Sequence, residues 1–196
     1  MHGCVFFYMK ERTDIMKKIW EKDGYIIRQA EEKDKEAYYE QNFNPLDKEV
    51  ARFTGCKETF TREEVISFYE KCLISDDRYD FLIFSPEGKI IGESVINDID
   101  WKVKSANYRI CIFQPVERGK GIGNWAVKTA ICFAFEELGL HRLELDVFSF
   151  NKRAKHLYEK SGFKVEGIRR DAILDEGKYA DDILMSILET EYSQML

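Results

Sequence analysis

Gln114-Pro115-Val116-Glu117-Arg118-Gly119-Lys120-Gly121-Ile122-Gly123 is the stretch on which the fold turns. Asn107 to Phe113 before it has the composition of a strand, and Gly121 to about Leu138 after it is apolar around much of a helical surface. The order predicts a strand ended by Pro115, which has no N–H to donate, then a basic glycine loop, then a buried helix. A helix start leaves backbone N–H groups without internal partners, and the macrodipole makes that end positive. Glycines let those groups approach a ligand and permit backbone angles that other residues resist. With Arg118 and Lys120 alongside, the loop is a candidate phosphate site.

Spacing narrows the choice. A Walker loop requires G-x-x-x-x-G-K-[ST], and the chain has no such string. A dinucleotide fingerprint requires G-x-G-x-x-G, but Gly119, Gly121 and Gly123 alternate and Asn124 stands where the last glycine would fall. Taken alone, the loop also fits an ordinary glycine-rich turn. A second segment, Asn151-Lys152-Arg153-Ala154-Lys155-His156-Leu157-Tyr158-Glu159-Lys160-Ser161-Gly162-Phe163, predicts a helix capped by Asn151 and stopped by Gly162. Ala154, Leu157, Tyr158 and Ser161 share one side of it, and Asn151, two turns before Tyr158, lies on that side too. Taken alone, that helix also fits a short amphipathic element with Tyr158 as core filler.

Together the two segments resemble the GNAT superfamily of acyl-CoA N-acyltransferases. Arg118-x-x-Gly121-x-Gly123 is similar to its pyrophosphate loop, [QR]-x-x-G-x-[GA], and Asn151-x-x-Ala154-x-x-x-Tyr158 followed by Gly162-Phe163 to its second cofactor element. Glu166-Gly167-Ile168-Arg169, Gly177-Lys178-Tyr179 and Asp182-Ile183-Leu184-Met185 resemble the tail of the branch that holds the ribosomal-protein N-terminal and spermidine acetyltransferases. The resemblance runs from about Gly24 to about Glu191 and is strongest from Phe113 to Met185.

Composition bounds the rest. The 196 residues suffice for one domain with a sizeable core. The formal net charge of −6 argues against a nucleic-acid binder and suits a cationic substrate. Cys4, Cys56, Cys72, Cys111 and Cys132 show no C-x-x-C spacing, and their odd number speaks against a secreted disulfide framework, so reduced thiols and a cytoplasmic location are expected. No apolar run approaches the ~18 residues of a membrane helix. No metal cluster is evident. Residues 1–22 lie outside the resemblance and are taken as an N-terminal extension, either a short helix capped by Thr13 or a product of start choice, with Met9 and Met16 as other starts. Residues 23–192 are taken as one domain.

Along the chain, Gly24–Ala30, Tyr79–Phe84, Lys89–Asn97, Arg142–Phe148, Phe163–Arg169 and Ala180–Leu188 are further predicted strands. Glu31–Phe43 carries apolar positions at helical spacing, and Thr61-x-x-Glu64 is a capping box opening a helix to about Ile74. The expected class is α+β with a central, mixed and mostly antiparallel sheet. The resemblance implies the GNAT fold, with helices on both faces and the strands near 107–113 and 142–148 running parallel and splaying apart to admit acetyl-CoA.

The reaction so implied is direct transfer of an acetyl group from acetyl-CoA, as cosubstrate, to a primary amine in a ternary complex. The resemblance places the pyrophosphate on Arg118, Gly119, Lys120, Gly121, Ile122, Gly123 and Asn124. It places the pantetheine arm along Cys111, Ile112 and Phe113, with Asn151 and Lys155 beside the cofactor. Tyr158 holds the position of the proton donor to the leaving thiolate. Many members of the branch carry a glutamate on the splayed strand after a small residue; here Ala106 is followed by Asn107, which takes no proton. Glu93 is the expected replacement base, with Asp98, Asp100 or a water chain as alternatives. Acceptors in view are a polyamine or other small amine, suggested by Glu31, Glu32, Asp34, Glu36, Asp76, Asp77 and Asp80, or a protein N-terminal amine. An amino sugar or an antibiotic is a further option. A homo-oligomer is a further expectation. The competing reading is an acyl-CoA-binding sensor without turnover.

Overall fold

The computed structural model describes residues 18–195. A single sheet of eight strands forms its spine, in the order β1-β2-β3-β4-β5-β6-β8-β7. The strands are β1 (Ile19–Lys22), β2 (Tyr25–Gln29), β3 (Tyr79–Phe84), β4 (Ile90–Asp100), β5 (Ser105–Ile112), β6 (Arg142–Phe148), β7 (Lys164–Asp175) and β8 (Lys178–Leu188). The helices are α1 (Lys35–Asn42), α2 (Lys48–Thr54), α3 (Arg62–Ile74), α4 (Ile122–Cys132), α5 (Lys152–Lys160) and the single turn α6 (Glu189–Tyr192). All neighbouring strands are antiparallel except β5 and β6. The mixed sheet of the α+β expectation is therefore present, with helices on both faces.

The first hairpin crosses the boundary drawn at residue 22. Ile19–Lys22 pairs with Tyr25–Arg28 as a tight edge hairpin around Asp23 and Gly24, both at positive φ. Trp20 packs edge-on against Phe81 and Phe133, so the aromatic side chain anchors the strand to the core. The helix capped by Thr13 and the alternative starts lie outside the described residues.

Two cores flank the sheet. On one face α4 and α5 bury Ala126, Val127, Ala130 and Tyr158 against Ile83, Ile96, Tyr108 and Leu145. On the other, α1, α2 and α3 bury Tyr38, Val50, Val65 and Tyr69 against Leu82, Ile90 and Phe113. β4 is buried continuously from Ile90 to Ile96, as a strand covered on both faces must be. Ile96 has no exposed surface. Cutting such a side chain to alanine costs about 2–5 kcal/mol.

Local signals explain the helix ends. The Thr61 hydroxyl accepts from the Glu64 N–H while the Glu64 carboxylate accepts from the Thr61 N–H, the reciprocal box expected for α3. Asn151 Oδ1 accepts from the Ala154 N–H at 3.1 Å and opens α5. Helix α2 went unrecognised in the sequence, although Asp47 caps it through the Val50 N–H and Gly55 ends it at φ 69°. Among the described residues no helix is long and apolar enough to cross a membrane.

Candidate active site

The parallel pair closes for only three residues: Ser105, Ala106 and Asn107 face Arg142, Leu143 and Glu144. Beyond them β5 stays on β4 as far as Ile112, and β6 stays on β8 as far as Phe148. The two strands therefore diverge, and the β5 edge from Tyr108 onward has no strand opposite it. A cavity of about 890 Å³ fills the gap, lined by Cys111, Ile112, Asp146, Val147 and Tyr158. Unpaired backbone N–H and C=O groups in such a place require partners. The arm of a cosubstrate rich in amides would supply them.

At one end the cavity meets the start of α4. Gly121 is its N-cap at φ 85°, with no side-chain cap and no acidic residue in the first turn. The first intrahelical bond runs from the Trp125 N–H to Gly121 O, which leaves the N–H groups of residues 122–124 free of it. Gly119 is also left-handed, at φ 84°. A β-carbon at Gly119 or Gly121 would meet nothing within 4 Å. Glycine is needed there for its angle and for ligand approach, not for packing. Gly121, Gly123 and Asn124 line the cavity, and the Asn124 Oδ1 is buried without a partner among the described residues. An uncapped helix mouth and an orphaned acceptor fit a diphosphate flanked by amides and hydroxyls. Ile122 contributes only its backbone, since its side chain is buried in the core.

The two loop cations are not free. The Arg118 guanidinium donates to the carbonyls of Ile112 and Phe113, each at 3.0 Å, and pairs with Asp47 at 2.7 Å and with Glu49. It ties the loop to the end of β5 and the start of α2. Lys120 pairs with Glu117 at 3.0 Å. Arg118 nevertheless lines the cavity, and Arg153 and Lys160 on α5 add positive charge to the same wall beside His156. Lys155, expected beside the cofactor, pairs with Glu159 one turn on and is not part of the lining. Helix geometry accounts for the exchange: residues 153, 157 and 160 share a face, and 155 and 159 share the next.

Tyr158 is 6% exposed and packs edge-on against Phe163 at 5.8 Å. Its phenol makes no hydrogen bond among the described residues and opens on the cavity. Burial pushes its pKa up, with smaller contributions from Cys111 and Asp146. The hydroxyl therefore keeps its proton across the neutral range. Burial likewise pushes up the neighbouring Cys111 thiol, which argues against a catalytic thiolate.

Glu93 also lines the cavity, but both of its oxygens are engaged. One accepts from the Tyr38 hydroxyl at 2.6 Å, the other from Arg109 Nη1 at 2.7 Å. Asp98 takes the Asn97 amide, and Asp100 takes the N–H groups of Lys102 and Val103 in the β4–β5 turn; neither reaches the cavity. The acids that suggested a cationic acceptor are held elsewhere. Asp34 pairs with Arg28, Asp80 with Arg78, Glu36 with Arg62 and Glu32 with Lys35, and none of the seven lines the cavity. On the α1–α3 side the cavity is lined by Phe43, Phe53, Phe60 and Phe68, with Glu64 and with the Glu49 that pairs with Arg118. Among the described residues no group of His, Cys, Asp and Glu could hold a metal ion.

Residues 25–164 match the acetyltransferase (GNAT) domain family. The chain is 30% identical over 130 residues to the spermidine N(1)-acetyltransferase of Vibrio cholerae, covering 66% of this chain and 75% of that one. It is equally 30% identical over 129 residues to the Escherichia coli K12 spermidine N(1)-acetyltransferase, covering 66% and 68%. The crystal structure of the Vibrio cholerae enzyme in complex with CoA and spermine superposes with a TM-score of 0.78 at 26% identity, over 88% of this chain and 99% of that one. The same Vibrio cholerae enzyme has also been seen as a dodecamer. The gap between β5 and β6, the bare mouth of α4 and these matches agree: the chain belongs to the GNAT acetyltransferase family and is an acetyl-CoA-dependent N-acetyltransferase.

Proposed function

We propose that the acceptor is a small polyamine, entering from the α1–α3 side of the sheet and meeting the thioester in the β5–β6 gap. The observation that carries this reading is the continuity of the cavity. One cavity is lined by Gly121 and Asn124 at the mouth of α4, by Tyr158, and by Phe43, Phe53, Phe60 and Phe68. Phenylalanine faces suit alkylammonium chains, both by apolar contact and by cation–π attraction. The spermidine acetyltransferases among the relatives support the same choice.

The residues divide the work. The free N–H groups at the α4 mouth hold the diphosphate, the Asn124 Oδ1 accepts from an amide or hydroxyl of the cosubstrate, and Arg153 and Lys160 add charge around it. Backbone N–H groups on the bare edge of β5 hold the arm and stabilise the negative charge that grows on the thioester oxygen. Tyr158 gives a proton to the departing sulfur. In water that transfer is uphill, because a phenol near ~10 gives its proton to a thiol anion near ~8.5. Inside the cavity both anions lose hydration. Burial pushes the Tyr158 phenol and the neighbouring Cys111 thiol up alike, so a mismatch of about 1.5 units, roughly 2 kcal/mol, stays in the barrier.

An ammonium near ~10.4 is neutral only about one part in 10³ at pH 7, so a polyamine needs help in losing its first proton. The exposed edge strand β7, with Val165 and Ile168 uncovered, and the exposed Leu174 and Tyr179 at the β7–β8 tip favour self-association. Thiol release from acetyl-CoA across an amine panel tests the acceptor. Spermidine or spermine should exceed a free-amino peptide in kcat/KM by at least tenfold; the reverse order would transfer the reading to protein N-termini.

A further inference from the structure

Resting on the acetyltransferase reading above, we propose that the pair Arg52–Asp175 is a clasp between the two banks of the gap, and that it sets how bulky an acceptor amine can be. Neither residue lines the cavity. Both act through the rings they hold, as positioning residues.

Arg52 rides on α2, which belongs to the β1–β5 bank: Val50 and Ala51 are buried with Leu82, Ile90 and Phe113. Asp175 ends β7, and Phe150 follows β6 by two residues, so both belong to the opposite bank. The parallel ladder stops at Asn107 and Glu144, and between α2 and these residues the banks meet through side chains. The Arg52 fork donates from Nε to one Asp175 oxygen at 2.8 Å and from Nη2 to the other at 2.7 Å. Its guanidinium carbon lies 5.1 Å from the centre of the Phe150 ring. Phe53 stacks on that ring, with centroids 6.1 Å apart and planes inclined by 25°. Phe148 packs on Phe150 at 5.4 Å and reaches within 3.1 Å of where a Gly55 β-carbon would lie, just past the end of α2.

An isolated surface ion pair contributes little. This one is bidentate, lies over aromatic rings and joins segments 123 positions apart. Arg52 holds the Asp175 carboxyl below the usual aspartate range, so the pair stays charged at neutral pH. Phe53 and Phe148 line the cavity, one from each bank. The clasp fixes the distance between those banks and with it the room for the acceptor. An unbranched alkylammonium chain fits between two ring faces; a branched amine or a peptide needs the banks farther apart. Discrimination then comes from a steric limit as well as from attraction.

A double-mutant cycle tests the clasp. Arg52→Met keeps the length of the stem and removes the fork, and Asp175→Asn keeps the shape and removes the charge. Each should raise the KM for spermidine by about three- to tenfold at nearly constant kcat, raise kcat/KM for a free-amino peptide, and leave coenzyme A affinity within about twofold. The double variant should do no more than either single one, because the two residues act as one unit. A second readout needs no turnover. Cys111 lines the cavity, and its alkylation by iodoacetamide, followed by peptide mass, should quicken at least ~threefold in both variants. Additive effects, an equal loss for slender and bulky amines, or Cys111 labelling at the wild-type rate in both variants overturns the inference. Absence of thiol release by the wild-type protein with every amine would overturn the acetyl-transfer reading, and the Cys111 rates would still decide whether the clasp holds the banks together.

Discussion

The two ends of the cavity are built differently. The phosphate end is made of backbone: a left-handed Gly121, a bare helix start, and a strand edge with no neighbour. The acceptor end is made of side chains from α1, α2, α3, β4 and β6, brought together from distant parts of the chain. Backbone sites follow from local sequence, because glycine spacing and helix starts are short-range matters. Side-chain sites follow from topology, because two residues become neighbours only once the sheet is assembled. Substitutions at the phosphate end should therefore act on affinity, and those at the chemical centre on turnover.

The largest effect is expected at the centre. Tyr158→Phe should lower kcat tenfold to ~100-fold, about 1.4–2.7 kcal/mol of barrier, with the KM for acetyl-CoA nearly constant. The upward shift of the phenol also fixes a sign. As the acid it works protonated, and it stays so well beyond pH 9. The wild-type rate should then climb from pH 7 to 9 as the acceptor amine deprotonates, with no decline owed to Tyr158. A Tyr158→Phe variant that keeps wild-type kcat over this range would break the assignment, whereas a decline near pH 9 that vanishes in the variant would keep the acid role and contradict only the upward shift.

Gly121→Val should come next. A β-branched residue at φ 85° is strained by about 1–3 kcal/mol, and its side chain would stand where the diphosphate approaches. Calorimetry should show coenzyme A affinity down by ~10-fold or more, and folding should survive because no atom lies near the new β-carbon.

The smallest contrast separates the cations. Arg153→Ala should weaken coenzyme A by about three- to fivefold, in a salt-dependent way, with little change in Tm. Arg118→Ala should do the opposite. It breaks two carbonyl contacts and the pairing with Asp47, so thermal stability should fall by roughly 1–3 kcal/mol while α2 loosens. Lys155→Ala should leave both measurements within error. A tight-binding Arg118→Ala with unchanged Tm would remove the strut role.

Local signals in the chain carried much of the fold. Tyr79–Phe84 and Arg142–Phe148 are strands with the expected ends, and Thr61 and Asn151 cap helices as their side chains predict. What escaped was non-local. The β1 edge strand is short and mostly exposed, so it lacks the alternation that marks a half-buried strand. Asp146 stood on the polar side of a clean alternation, Arg142, Glu144, Asp146, where a period of two cannot distinguish solvent from a cavity wall. That Arg118 also braces α2 was not legible, because the carboxylates of Asp47 and Glu49, some seventy positions earlier, are invisible in the local sequence.

With the ladder between β5 and β6 limited to Ser105–Asn107, β1 to β5 and β6 to β8 form two plates joined along a seam three rungs long. The hydrophobic packing of α4 and α5 lies across that seam. Engineering that zipped the plates further would stiffen the molecule against heat and shut the passage in the same stroke. Tolerance of high temperature and catalytic speed are thus set against each other at one short row of hydrogen bonds.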